Sequence, residues 1–281
     1  MAARRSGRCA MGGKTGPLMA DAARRPDRID TAPRFTEADA AALNAQYSGA
    51  SAQDILRAVL KDGVAGHVAM VSSFGAESAA LLHLVAQVDA DAPVLFLETG
   101  KHFPETLAYR DTLVDALGLT GLVNLYPDKA ALAAKDDTGL RWSYDPDGCC
   151  EIRKVLPLAD ALAGYDASIT GRKAFQSETR ADLPVFEVDT SDTAGRLKVN
   201  PIIGWSKDDI EAYMTEHDLP RHPLVEQGYP SIGCSPCTSK VAPGEDPRSG
   251  RWRGWDKTEC GIHAVPGADG DELPPGFEPA F

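Results

Sequence analysis

Apolar positions change their period repeatedly between residues 36 and 217, and each change predicts an element. Thr36 to Leu60 carries apolar residues at Leu43, Ile55, Leu56, Val59 and Leu60 and reads as helical. His67–Ser72 (HVAMVS) is strand-like, and Ala79–Val88 follows with helical spacing. Val94–Leu97 (VLFL) has the unbroken apolar run of a strand buried on both faces. Pro104 suits the first turn of a helix that continues to about Leu117. Leu122–Tyr126 and Asp166–Thr170 are further strand candidates, and Ser206 caps a helix through His217. Strands alternating with helices predict βαβ units, a mostly parallel sheet and the α/β class.

The two ends lack this patterning. Residues 1–34 are rich in Ala, Arg, Gly and Pro and read as a disordered leader, with Met11 and Met19 as alternative starts. Residues 243–281 are rich in Pro, Gly and charge and read as a mobile segment, which leaves 35–242 as the folded domain. No internal repeat is visible.

The formal charge of −12 argues against nucleic acid and anionic membranes as partners, although a basic pocket for a small anion stays compatible with it. No apolar run reaches membrane-spanning length, and Arg4, Arg5 and Arg8 are not followed by the apolar stretch of a secretory signal. A cytoplasmic protein is expected. There, cysteines serve more often as metal ligands or catalysts than as disulfides.

In an open parallel sheet, ligands bind where strands end. The first strand ends in Ser72-Ser73-Phe74-Gly75-Ala76-Glu77-Ser78, whose small residues let backbone N–H groups approach a phosphate at a helix N-terminus. It is neither a P-loop nor a G-x-G-x-x-G turn. Taken alone it reads equally well as an ordinary strand–helix turn. The next strand ends in a second polar loop, Glu98-Thr99-Gly100-Lys101-His102, at the same sheet edge, and two such loops together favour a nucleotide site.

The chain has six cysteines. Cys149 and Cys150 are adjacent, and Cys234 and Cys237 form a C-x-x-C. Adjacent cysteines rarely bond each other, so these four thiols suit a zinc ion or an iron–sulfur cluster. A neighbouring pair diverges and reaches one small ion poorly, whereas a cubane accepts ligands from more separated directions. The residues alone leave both metals open. Cys260 stands apart, in Glu259-Cys260-Gly261-Ile262-His263, with Arg248, Arg251, Arg253 and Lys257 upstream. Nearby cations favour a thiolate nucleophile. Cys9, in the leader, has no comparable context.

The Ser-Phe-Gly-Ala-Glu turn resembles the PP-loop, usually S-G-G-x-D-S, of the adenine-nucleotide α-hydrolase fold. Together with Glu98-Thr99-Gly100-Lys101-His102-Phe103-Pro104-Glu105-Thr106 it resembles, more narrowly, the sulfonucleotide reductases. These enzymes reduce adenylyl sulfate, or its 3′-phosphorylated form, to sulfite. The likeness covers about residues 40–263, with several separate motifs in the right order. It implies a PP-loop-type parallel sheet flanked by helices. It implies that Cys149, Cys150, Cys234 and Cys237 bind a [4Fe-4S] cluster, as in the members that use adenylyl sulfate. Lys154, four positions after the Cys pair, is then near both cluster and substrate.

Glu-Cys-Gly-Ile-His is similar to the family's catalytic Glu-Cys-Gly-Leu-His, which makes Cys260 the catalytic residue and His263 a neighbour of substrate. Arg248 and Arg251 keep the family's R-x-x-R spacing, at a shorter interval from the cysteine. Thr170–Arg180 matches a family segment at Gln176 and Arg180 but departs from it at Ala174 and Phe175, so Arg172, Lys173 and Arg180 all stay candidates for the phosphate. The remaining implied substrate contacts are Ser72, Ser73, Phe74, Gly75, Glu77, Thr99 and Gly100.

The implied reaction has two steps. Cys260 thiolate attacks the sulfur of adenylyl sulfate and releases AMP. A dithiol protein, thioredoxin or glutaredoxin, then releases sulfite from Cys260. Alternatives kept open are the 3′-phosphorylated substrate, a PP-loop ATP pyrophosphatase and a non-catalytic metal-binding module. The pyrophosphatase would need the magnesium-binding Asp of S-G-G-x-D-S, where this chain has Glu77. Assembly of identical chains also stays open.

Overall fold

The computed structural model describes residues 33–263, except 178, 179, 193 and 258; the leader expected over 1–34 lies almost wholly outside the described residues, as do 264–281 of the C-terminal segment. Its centre is a six-stranded sheet in the order β3-β2-β1-β4-β6-β5. The strands are β1 (Val68–Val71), β2 (Val94–Leu97), β3 (Leu122–Leu125), β4 (Ala167–Ile169), β5 (Phe186–Val188) and β6 (Leu197–Val199). All pairings are parallel except β5 with β6.

The pleat divides the side chains of β1 and β2 between two cores. Val68, Met70, Val94 and Phe96 enter the larger core, whereas Ala69, Leu95 and Leu97 meet Leu158 and Leu162 of α7 (Leu156–Leu162) on the other face. That two-sided burial accounts for the unbroken VLFL run. The larger core also receives α1 (Glu37–Gln46), α2 (Ala52–Leu60), α3 (Ser78–Val88) and α8 (Lys207–Glu216).

α3 and α4 (Pro104–Leu117) connect β1 to β2 and β2 to β3 in one direction along the sheet. The chain then passes through α5 (Lys129–Lys135), α6 (Pro146–Cys150) and α7 and enters β4 on the other side of β1. The winding reverses between β1 and β4, so the loops after these strands diverge and open a crevice at their carboxyl ends.

The expected helix over Thr36–Leu60 is two helices. Gly49 adopts φ +75°, and Ser51 begins α2 by accepting a hydrogen bond from the Asp54 N–H. β5 and β6 were not expected. Each has three residues and carries a charged residue, Glu187 or Lys198, at its centre. Buried ion pairs make those charges tolerable: Arg172 pairs with Glu187, and Lys198 with Asp189 at 2.7 Å.

The described part of the C-terminal segment is packed against the domain. Trp252 is buried, its backbone N–H donates to the Cys237 carbonyl, and Thr238 bridges to Arg251.

The outer edge at β5 is closed by one side chain. The Asn44 Nδ2 donates to the Phe186 carbonyl at 2.7 Å, and its Oδ1 accepts from the Phe186 N–H at 3.0 Å. Asn44→Ala leaves both groups without that partner and is expected to cost about 2 kcal/mol. Urea denaturation checks this through a lower midpoint at unchanged slope.

Candidate active site

A cavity of about 320 Å3 occupies the crevice between β1 and β4. The β1 loop supplies Ser72, Ser73, Gly75 and Glu77, and the β2 loop supplies Thr99. Lys154 enters from the five residues after the Cys pair, and Arg180, Arg248, Arg251 and Cys260 close the remaining sides.

Two expected contacts lie elsewhere. Phe74 is fully buried and does not line the cavity: its φ of +49° swings the ring into the core, edge-on to Phe96 at 5.4 Å. The strain of that conformation is offset by the ring's burial and by the Phe74 N–H, which donates to Ser72 Oγ at 3.2 Å. Gly100 sits in the left-handed region at φ +68°, outside the cavity wall. The His263 side chain lies outside the described residues.

The cavity wall is strongly cationic, and several of its cations are tethered. Lys173 Nζ donates to Glu77 at 2.6 Å, beside Gln176 Nε2 at 3.1 Å. Arg172 Nε reaches Thr170 and Asn200, both at 3.2 Å, and its far end pairs with Glu187. Burial, with Arg180 nearby, pulls Arg172 down to about 10. Arg180 donates to Gln176 at 2.6 Å and to Glu259 at 2.7 Å.

The Arg251 guanidinium lies 4.5 Å over the Trp252 ring. It packs so closely on Gly233 that a Cβ there would meet its Nη2 at 2.2 Å. Arg251 Nε and Trp252 Nε1 are buried with no hydrogen-bond partner among the described residues. The cationic side chains that line the cavity suit an anionic ligand.

Cys149, Cys150, Cys234 and Cys237 line a second, smaller cavity with Lys101, Arg153 and Lys154. Lys154 and Cys234 belong to both cavities. Asp145 caps α6 by accepting the Gly148 N–H, and the backbone widens to a π-helical turn over Glu151–Val155 immediately after the Cys pair. π-Turns frequently mark functional sites; this one carries Arg153 and Lys154 toward the thiols.

Arg153 is anchored beneath by buried Asp136, at 2.6 Å, and by the Thr99 carbonyl, at 2.7 Å. Thr99 Oγ1 in turn lies 3.4 Å from Cys234 Sγ. Among the described residues no three His, Cys, Asp or Glu side chains form a group that could hold one metal ion. Four soft donors facing one cavity flanked by cations nevertheless fit a thiolate-bound polynuclear centre with negative charge.

Cys260 has Cys150 as its neighbour. The Cys150 thiol donates to it and, with Lys154 and Arg251 nearby, holds the Cys260 thiol well below its usual range although burial opposes this. The same bond, with burial, pushes Cys150 up. Lys154 is also held above its usual value, because Cys234, Cys260 and Cys150 outweigh its burial.

Comparison with known proteins agrees with this geometry. A family model described as the phosphoadenosine phosphosulfate reductase domain matches residues 67–240. The chain belongs to the phosphoadenosine phosphosulfate reductase family. A relative from Mesorhizobium japonicum named adenosine 5′-phosphosulfate reductase is 49% identical over 237 residues, 84% of this chain and 92% of that protein. One of the same name from a Chelativorans species is 50% identical over 238 residues, 84% of this chain and 95% of that protein. The crystal structure of phosphoadenylyl-sulfate (PAPS) reductase from Candida auris, a phosphate complex, superposes with a TM-score of 0.61 at 28% identity, covering 74% of this chain and 98% of that one.

Within this family member, sequence reasoning missed Trp252 and Glu259 as parts of the cavity wall. Trp252 was legible in hindsight, as an aromatic residue set among Arg248, Arg251, Arg253 and Lys257, where cation–π packing is expected. Glu259 gave no signal, because two of its partners, Ser177 and Arg180, lie 82 and 79 residues away.

Asp136→Ala strands buried Arg153 and is expected to cost about 3–5 kcal/mol in urea denaturation. Burial alone would raise the Asp136 carboxyl, but hydrogen bonds from Arg153 and the Arg141 N–H hold it below its ordinary value. Its stabilisation is therefore complete above about pH 4 and is lost as pH falls through the lower folded value. The wild-type protein should lose this increment in acid, and Asp136→Ala should not.

Proposed function

We propose that this chain reduces adenylyl sulfate to sulfite and AMP in sulfate assimilation, with Cys260 as the nucleophile. The observation that carries the reading is a half-buried cysteine, Cys260, inside a cavity walled by Lys154, Lys173, Arg172, Arg180, Arg248 and Arg251. An attacking anion and an anionic substrate repel each other, so cations must surround the point where they meet. The names of the relatives point to adenylyl sulfate, and the β1–β4 crevice is where an α/β sheet takes a nucleotide.

In the first step Cys260 Sγ attacks the sulfur of adenylyl sulfate. An S–S bond forms, the bond from that sulfur to the phosphate oxygen breaks, and AMP leaves with the electron pair. Arg248 and Arg251 hold the sulfate and phosphate oxygens in line, and Lys154 balances charge at the reacting thiol. In the second step a thiolate of thioredoxin, or glutaredoxin, attacks Cys260 Sγ. Sulfite leaves with the S–S electron pair and a mixed disulfide forms. The partner's second thiol resolves it, which restores the Cys260 thiol and oxidises the partner to its disulfide.

Cys149, Cys150, Cys234 and Cys237 would hold a [4Fe-4S] cluster, which when bound supplies a fixed charge beside Lys154. Cys150, once a ligand, has no proton to give Cys260, so the thiolate then rests on Lys154 and Arg251.

Anaerobic incubation with adenylyl sulfate, without thioredoxin, is expected to add one sulfonate to Cys260, read by intact-protein mass, and reduced thioredoxin should remove it. Cys260→Ser should show no adduct and lose sulfite release entirely while keeping its iron. A comparable yield with the 3′-phosphorylated nucleotide would argue against the substrate assignment, and no adduct with either would refute the mechanism. Cys234→Ser is expected to lose iron by metal analysis, together with the cluster's visible absorbance; a variant that keeps four irons would refute the ligand set.

A further inference from the structure

Glu259 faces the cavity beside the reacting thiol, and its carboxylate is already engaged. It accepts from Arg180 Nη2 at 2.7 Å, from Arg248 Nη2 at 3.4 Å and from the Ser177 hydroxyl at 3.3 Å. Arg180 and Arg248 are also two of the guanidinium groups available to an anion in this cavity. An entering phosphate or sulfate oxygen and the Glu259 oxygen therefore compete for the same donors.

From these contacts we propose that Glu259 is an internal occupant of the anion site. In the substrate-free protein it neutralises Arg180 and Arg248 and holds the segment bearing Cys260 against the cavity. An entering nucleotide takes over these donors and displaces it. After sulfur transfer, the return of Glu259 to the same arginines favours AMP release. Glu259 is thus a positioning residue that trades nucleotide affinity for placement of the neighbouring thiol.

Two further contacts fit such a role, because they keep the segment nearby while Glu259 moves. Lys257 pairs with Asp147 of α6, close to the Cys pair, and its ammonium lies 5.5 Å over the Trp252 ring. Ile262 packs on the core between the sheet and α7. Exchange at Glu259 then needs movement of one side chain between flanking anchors rather than detachment of the whole segment.

The inference rests on the reading of this cavity as the adenylyl sulfate site, and its test separates the two. AMP is titrated calorimetrically into anaerobically purified full-length wild type, Glu259→Gln and Glu259→Asp. The rate of Cys260 sulfonation by adenylyl sulfate is measured in a single turnover. Removing the competing charge while keeping shape is expected to tighten AMP binding roughly three- to tenfold in Glu259→Gln, the span of a partly exposed charge-assisted pair. Sulfonation should slow in the same variant, because the thiol is less firmly placed in the substrate-free protein when the nucleotide enters. Glu259→Asp, which keeps the charge, should return AMP affinity toward wild type.

Opposite signs in affinity and rate are not produced by loss of local structure, which weakens both. Unchanged or weaker AMP binding in Glu259→Gln, with wild type binding AMP, overturns the proposal. If AMP binds none of the three proteins, the nucleotide reading falls. Glu259 is then judged with inorganic sulfate as the probe: the same rise in affinity supports it, and equal affinities overturn it.

Discussion

Cations gathered in one place repel each other, and this protein buries several around a single crevice. The fold meets that constraint by giving several of them a carboxylate from a different segment, and Arg180 and Arg248 share Glu259. Glu77 of the β1 loop takes Lys173, Glu187 of β5 takes Arg172, Asp136 takes Arg153, and Asp189 takes Lys198. Each pair costs desolvation and recovers it only through close geometry, so the pairs act less as a source of net stability than as clamps that fix where each positive charge points. The result is a preorganised positive field inside a chain whose overall charge is −12.

The same clamps join the two cavities. Arg153 ties Asp136 to the Thr99 carbonyl, and the Thr99 hydroxyl touches Cys234. A ligand at the cysteine cavity is thus linked through short contacts to the loop that follows β2. Lys154, shared by both cavities, adds an electrostatic link that needs no movement of the backbone. Cys260, the four-cysteine cavity and the cationic crevice are in this sense one electrostatic unit built from segments distant in sequence.

Much of this was readable in the chain. β2 and α4 appear at their expected bounds, because VLFL is bounded by turn residues and Pro104 fixes a helix start. The grouping of Ser72, Glu77, Thr99, Lys154 and Cys260 followed from motif order and from the rule that strands of one sheet end at one edge. The rest was hidden for physical reasons. β5 and β6 are too short to show alternation, and their central charges read as surface until the buried partners are known. Phe74 looked like a loop contact because sequence does not report a positive φ. Glu259 was given no role of its own, whereas its bonds run to Arg180 and Arg248.

The two ends of the sheet are unlike. At β5 the outward-pointing N–H and C=O of Phe186 are both held by Asn44, so a strand from another molecule finds neither group of that residue open. At β3, by contrast, Val123 stands 42% exposed on an edge strand. Growth of the sheet by another chain, whether in ordered assembly or in aggregation from a crowded solution, is therefore hindered at Phe186 on one edge, with no such cap described on the other.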